Sequence, residues 1–268
     1  MLTLRLAGGL GNQIFQIGAA LLLATETSDK FLVVDDSALD SYEAKRDNWL
    51  PTFFDLSKLS CNIAFSKVFI SGLRLPKLLP LKTPLLSLVS DSNFQDVLRA
   101  KSSRIYHLDG YFQSCLTQLT FDRILSILKN LYKLQMIESD PSLCVVHIRG
   151  SDFQGSSFEL SQSYYEQTVK AMIDIYGVER FLVVTDDPQY SYEIINPLDV
   201  LYRISSGSVV PDFCTIASAG KKIISNSTFA LWASALGASC NPVIISPESW
   251  HKKCSRSYRL NGEYPSLN

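Results

Sequence analysis

The chain has 268 residues, with 25 Lys and Arg against 26 Asp and Glu, enough for one large α/β domain or two small ones, each burying its own core. A net charge of −1 removes the simplest electrostatic case for nucleic acid as a partner. The six cysteines, Cys61, Cys115, Cys144, Cys214, Cys240 and Cys254, stand singly, with no C-x-x-C pair and no histidine at metal-ligand spacing. They read as reduced, mostly structural thiols of a cytosolic protein.

Residues 2–6 alternate as a strand should, and Gly8-Gly9-Leu10-Gly11 breaks the alternation. Ile14, Ile17 and Leu21 then fall at helical spacing. A strand, a glycine turn and a helix start offer an anion backbone N–H groups and the positive end of a helix dipole. The apolar run 14–24 is not a signal peptide by its flanks: no basic cluster precedes it, and the glycines stand where it should begin. No other stretch is long and apolar enough for a membrane span. Residues 31–34 form the next strand, ending in Asp35-Asp36 and closing a β-α-β unit. This invites a dinucleotide reading, in which an acidic residue about 20 positions after G-x-G-x-x-G binds the ribose. The third glycine position holds Ile14, however, and the polar Asn12-Gln13 at the helix start is not explained by that fingerprint.

From 37 to 103 the periodicity is poor. Residues 73–90 are rich in Leu, with Pro76, Pro80 and Pro84 among Arg74, Lys77 and Lys82; such prolines break a helix interior. The segment reads as a surface loop with short helices, and alternatively as a peripheral contact with anionic lipid. Residues 105–114 are a strand running into an aromatic, polar turn, a composition suited to a sugar with apolar faces and a hydroxylated rim. Residues 121–134 form an amphipathic helix with Ile124, Leu125, Leu128, Leu131 and Leu134 inward, and 138–142 is the best linker candidate.

The second half alternates strands and helices, which implies a parallel sheet. Strands are expected at 143–146, 181–184, 223–224 and 243–245, and helices at 164–176, at 212–219 and from Ser225 through Leu236. Three strand ends carry polar groups: His147-Ile148-Arg149-Gly150-Ser151-Asp152, Thr185-Asp186-Asp187-Pro188, and Ser225-Asn226-Ser227-Thr228. In a parallel sheet these ends share the edge where ligands bind. An arginine there suggests a phosphate, which its forked donors grip twice; the plainer reading is an Arg149–Asp152 ion pair. Ser225 to Thr228 suits a phosphate at a helix start or an ordinary N-cap. Asp186-Asp187 suits a base or ribose, or a turn. A lone acidic pair is weak support for a metal, and no nucleophile triad is apparent, so covalent catalysis is not indicated.

Taken together, Gly8-Gly9-Leu10-Gly11-Asn12-Gln13-Ile14-Phe15-Gln16, Leu108-Asp109-Gly110-Tyr111-Phe112-Gln113-Ser114, His147-Ile148-Arg149, Thr185-Asp186-Asp187, Ile224-Ser225-Asn226-Ser227-Thr228-Phe229 with Trp232, and Pro247-Glu248-Ser249-Trp250 occur in the order seen in α-1,2-fucosyltransferases. The chain resembles a bacterial-type member of glycosyltransferase family 11, with matches from residue 8 to residue 250. The resemblance implies a GT-B-like α/β architecture of two Rossmann-like domains with the active site in the cleft between them. Residues 1–138 would be the acceptor side with its Gly-rich loop, and 139–268 the GDP-sugar side. It further implies an inverting, metal-independent transfer of L-fucose from GDP-fucose to a hydroxyl, the 2-OH of a terminal galactoside, with no cofactor. The acceptor would be a galactoside or other oligosaccharide, either a free glycan or a lipid-linked one, in a surface-glycan or O-antigen pathway, and the enzyme cytoplasmic or peripheral to the inner face of the membrane.

Residue by residue, the resemblance places Arg149 on the donor diphosphate, with His147 and Asp152 beside it as catalytic candidates. Gly9, Gly11, Asn12, Gln13, Asp186, Asp187, Ser225, Asn226, Ser227, Thr228 and Phe229 fall to the donor, and Asp109, Tyr111, Gln113 and Trp232 to the acceptor. Asp152, His147 and Asp109 are the candidates for general base. One departure stands out: the family's second consecutive arginine is Gly150 here, and Lys221 or Arg256 is the expected substitute. The rival readings are a transferase for another nucleotide sugar, a non-catalytic nucleotide-binding module, and an NAD-dependent oxidoreductase.

Overall fold

A computed structural model describes residues 1–41, 45–67, 86–101, 103, 105–134, 140, 142–205, 207–237, 241–248, 250 and 256–265. Most of the Leu/Pro-rich segment, residues 138, 139 and 141 of the linker candidate, Cys240, Cys254 and Ser249 lie outside these residues. The chain divides into two compact units, Met1–Lys133 and Leu134–Asn268.

The first unit is built on five parallel strands, β1 (Leu2–Arg5), β2 (Phe31–Asp35), β3 (Asn62–Ser66), β4 (Leu86–Val89) and β5 (Ile105–Leu108), in the order β3-β2-β1-β5-β4. Its helices are α1 (Leu10–Thr27), α2 (Leu50–Phe53), α3 (Phe94–Ala100) and α4 (Gln118–Leu131). α1 is buried on nearly every side because it touches both the central strands and α4. Its Ile14, Phe15, Ile17 and Leu23 have no exposed surface, and each such side chain contributes about 2 kcal/mol by leaving water. At Gly18 the two helices meet so closely that a Cβ would lie 2.4 Å from Ile124 Cγ2. α1 ends at Ser28, which takes the left-handed conformation and returns its N–H to the last turn. α4 starts three residues before its apolar stripe, because Thr117 and Thr120 form a reciprocal capping box. It stops at Leu131, leaving Leu134 beyond its end.

The second unit carries six parallel strands, β6 (Leu143–Ile148), β7 (Arg180–Thr185), β8 (Tyr202–Ile204), β9 (Lys221–Ile223), β10 (Val243–Ser246) and β11 (Glu263–Pro265), ordered β11-β10-β9-β6-β7-β8. Between them run α5 (Gln162–Tyr176), α6 (Pro188–Ile195), α7 (Val209–Ser218) and α8 (Thr228–Leu236). β6 is central, and its Cys144, Val146 and Ile148 pack with Tyr165, Val169 and Met172 of α5 and with Phe181 and Val183 of β7. The chain builds outward from β6 through β7 to β8, then resumes at β9 on the other side of β6. The strand order therefore reverses between β6 and β9, and such a reversal opens a crevice at the strands' carboxyl ends. The two sheets bear out an α/β fold of two Rossmann-like units. Among the described residues no helix is long and apolar enough to cross a membrane.

Candidate active site

In the first unit the reversal lies between β1 and β5, and the Gly-rich turn and residues 109–113 stand on either side of it. Gly8 has φ +80°, and a Cβ on it would come within 2.6 Å of Asn12 Nδ2, so only glycine lets Asn12 fold back over the turn. Gln113 Nε2 donates to Asn12 Oδ1 at 2.8 Å, and Gln16 Nε2 to the Gly110 carbonyl at 3.0 Å. Gln13 is fully buried: its amide donates to the Gly8 and Asp47 carbonyls and accepts from Trp49 N. The polar helix start thus has a structural task, holding three loops in register. Gly9 is the N-cap of α1 without a side-chain cap, and Gly11 lies buried in the first turn. Asp109 and Tyr111 are the exposed acceptor candidates, with Asp109 paired to Arg5 at 3.3 Å. Asp35, the ribose ligand of the dinucleotide reading, is buried and accepts from Ser37 N; the structure withdraws support from that reading.

In the second unit, Arg149 follows β6 directly. Its guanidinium meets Asp186 Oδ2 at 2.8 Å and Asp152 Oδ1 at 2.8 Å, and lies 5.6 Å from the centre of the Phe153 ring. The side chain of Arg149 is one-quarter exposed, so its charge is oriented but open to solvent. Asp186 uses both oxygens, accepting from Arg149 and from Gly150 N at 3.0 Å. Asp187 caps α6 by accepting from Tyr190 N. These two carboxylates therefore shape the loop that presents Arg149, a task two adjacent letters do not disclose. At Gly150 a Cβ would stand 2.5 Å from Asp187 Cβ. No second arginine fits there while α6 is capped this way.

The expected substitute Lys221 is excluded by topology. It pairs with Cys144 at the amino end of β9, so it belongs to the sheet edge opposite Arg149. Its neighbour Lys222 is buried, donates to the Ile216 carbonyl at 2.7 Å, and has its pKa pulled down to about 8 by burial. Arg256 is committed to an enclosed pair with Glu263 and stacks 4.5 Å over the Trp250 ring.

His147 lies on the face of β6 opposite Val146 and Ile148, where it is buried and its Nδ1 shares a 2.8 Å hydrogen bond with Ser225 Oγ. Burial first, then the Arg149 charge, lowers its pKa to about 3. The ring is neutral at ordinary pH and enclosed, which suits a strut better than a base. Phe229 packs between the His147 and Phe213 rings. Ser227 is the N-cap of α8, and Thr228 its first residue. Trp232 has no exposed surface, so its ring is part of the core and offers no face to a sugar. Asn226 donates to the Phe158 carbonyl at 2.9 Å and the Trp250 carbonyl at 3.2 Å. Phe153 and Phe158, rings 5.3 Å apart beside Arg149, are not singled out by the sequence reading; two phenylalanines in the loop after the strand-end arginine were the available signal. Among the described residues no group of three or more His, Cys, Asp or Glu is placed to hold a metal ion.

Comparison with known proteins fits this geometry. The chain is 25% identical, over 91% of its own length and 93% of the relative's, to the O-antigen biosynthesis glycosyltransferase WbnK of Escherichia coli. Its fold resembles the fucosyltransferase NodZ from Bradyrhizobium (13% identity, TM-score 0.57, 88% and 91% of the two chains). It also resembles a mutant of Arabidopsis thaliana FUT1 in complex with GDP (12%, 0.55, 96% and 74%) and POFUT1 in complex with GDP-fucose (10%, 0.53, 91% and 97%). These likenesses give the GT-B type of fold. The sequence pattern of "Glycosyl transferase family 11" matches residues 86–261, from β4 to just before β11 and across the whole edge that presents Arg149, and the chain belongs to that family.

Proposed function

We propose that the protein transfers L-fucose from GDP-fucose to a glycan hydroxyl with inversion, the acceptor being the 2-OH of a terminal galactoside in a surface polysaccharide. The observation that carries this reading is the Arg149 guanidinium, fixed by two carboxylates beside the strand-order reversal and one strand from the start of α8. As the glycosidic bond breaks, the sugar becomes cation-like and negative charge builds on the departing GDP. A preorganised guanidinium stabilises that charge, and removing one such donor typically costs about 10²–10³ in rate. Asp152, more than half exposed, is the carboxylate a diphosphate would displace from Arg149. The charge is met by side chain and helix start, so the reaction is proposed to need no metal. The acceptor proton falls to an exposed carboxylate, Asp152 or Asp109. Family membership supports glycosyl transfer, and the WbnK relative supports an O-antigen acceptor, assembled on a lipid carrier at the inner face of the membrane.

The test is GDP release from GDP-fucose with lactose or N-acetyllactosamine, in EDTA, for the wild type and Arg149→Ala. Acceptor-dependent release that survives EDTA and drops at least 100-fold in the variant is expected. Binding of GDP-fucose without release over the acceptor panel would instead indicate a nucleotide-binding module. The missing side-chain space at Gly150 favours one second reading, a different GDP-sugar; faster release from GDP-mannose would establish it.

A further inference from the structure

We propose that Asn226 is a positioning residue for Arg149, and that its side-chain amide acts as a clamp between the loop after β6 and Trp250 beyond β10. The inference rests on the donor role proposed for Arg149 and deepens it. Both contacts of the amide are to carbonyl oxygens, of Phe158 and of Trp250, so only the NH₂ end can face them and the orientation is fixed by chemistry. Asn226 is 6% exposed, and a buried donor pair of this kind is costly to leave unmade. One side chain in the β9–α8 turn thereby joins the loop after β6 to the loop after β10.

Each clamped residue leads to a guanidinium. On one side the Phe158 ring packs 5.3 Å from the Phe153 ring, which lies 5.6 Å from the Arg149 guanidinium. On the other, the Trp250 ring lies 4.5 Å beneath Arg256, whose partner Glu263 also accepts from Leu260 N at 2.6 Å. The second branch is anchored: the Glu263 side chain has no exposed surface and the residue belongs to β11. The first branch is more open to solvent: Asp152 is exposed and Phe158 is more than one-third exposed. The clamp therefore ties the solvent-exposed loop after β6 to the enclosed Trp250–Arg256–Glu263 branch, and so holds the arginine in place.

Asn226→Asp keeps size and shape but turns a carboxylate toward two carbonyls, breaking the clamp. Hydrogen exchange of the free protein reads the clamp without any donor: amides at 153–161 are expected to exchange at least 10-fold faster in the variant, with those of β6 unchanged. Unchanged exchange at 153–161 would overturn the clamp, whatever the donor. The catalytic consequence is read by a cycle with Arg149→Ala. Asn226→Asp should lower kcat by about 10–100-fold in the wild type and have no further effect when Arg149 is already alanine. An equal loss in both backgrounds would show that Asn226 acts on stability or binding rather than through Arg149. If the wild type neither binds nor turns over GDP-fucose, the donor assignment fails, and exchange still decides the clamp.

Discussion

His147 shows how a residue in the most suggestive hexapeptide of the chain can be a strut. Its folded pKa, about 3 against the ordinary 6.5, makes it a burden in acid. Below pH 6.5 the unfolded chain takes up a proton that the folded ring refuses until about pH 3, so stability falls as pH drops through this window. Between pH 7 and pH 5 the loss from this group is about 2 kcal/mol. Urea unfolding of the wild type and His147→Gln at both pH values should show the variant's unfolding free energy less acid-sensitive by that amount. Parallel losses would mean the ring is not enclosed as described. Arg149, two residues on, has the opposite setting, oriented by carboxylates yet open to solvent. Residues two apart on a strand share a face, so alternation does not separate them: His147 lies within β6 under Ser225 and Phe229, whereas Arg149 stands one residue beyond the strand's end at Ile148, where its side chain reaches solvent.

At the scale of elements, α6 is the piece that makes the Arg149 loop. Asp187 accepts from Tyr190 N and Pro188 occupies the first helical position, the usual start of a helix. Asp187→Ala should cost about 1 kcal/mol of stability and loosen the contact at Gly150; restoration of wild-type stability by Asp187→Ser would attribute the loss to the cap, and an unchanged melting temperature in the alanine variant would deny it. A reader of the sequence sees Asp-Asp-Pro as a turn, because α6 spans only Pro188–Ile195 and its apolar periodicity is brief. Brevity also hides β8 and β11, three residues each; β3 is hidden for another reason, being an edge strand with exposed residues that lacks the alternation that reveals β1 and the apolar run that reveals β7. Long buried elements such as α1 and β6 were legible, as were the strand ends that carry Arg149, Asp186 and Asn226. What those residues hold was not, since Gln13, Asp186 and Asn226 all bond to loops distant in sequence.

For the whole molecule, the two units share an architecture and differ in the charge they place at the reversal of strand order. In Leu134–Asn268 that edge carries Arg149 next to the start of α8. In Met1–Lys133 the corresponding edge carries carboxylates, among them Asp36, Asp91 and Asp109, and its Arg5 is already paired with Asp109. An isolated nucleoside diphosphate should therefore bind the second unit and spare the first. A ligand that binds only the folded state adds stability by mass action, about 2.7 kcal/mol at 100 times its dissociation constant, and adds it where it binds. Hydrogen exchange with saturating GDP should slow the core amides of β6, β7 and β9 while β1, β2 and β5 keep the rates of the free protein. Equal protection of the Gly-rich turn and β1 would move the diphosphate to the first unit. Arg149 would then be left with its carboxylates as a structural ion pair, and the assignment of donor and acceptor sides would reverse.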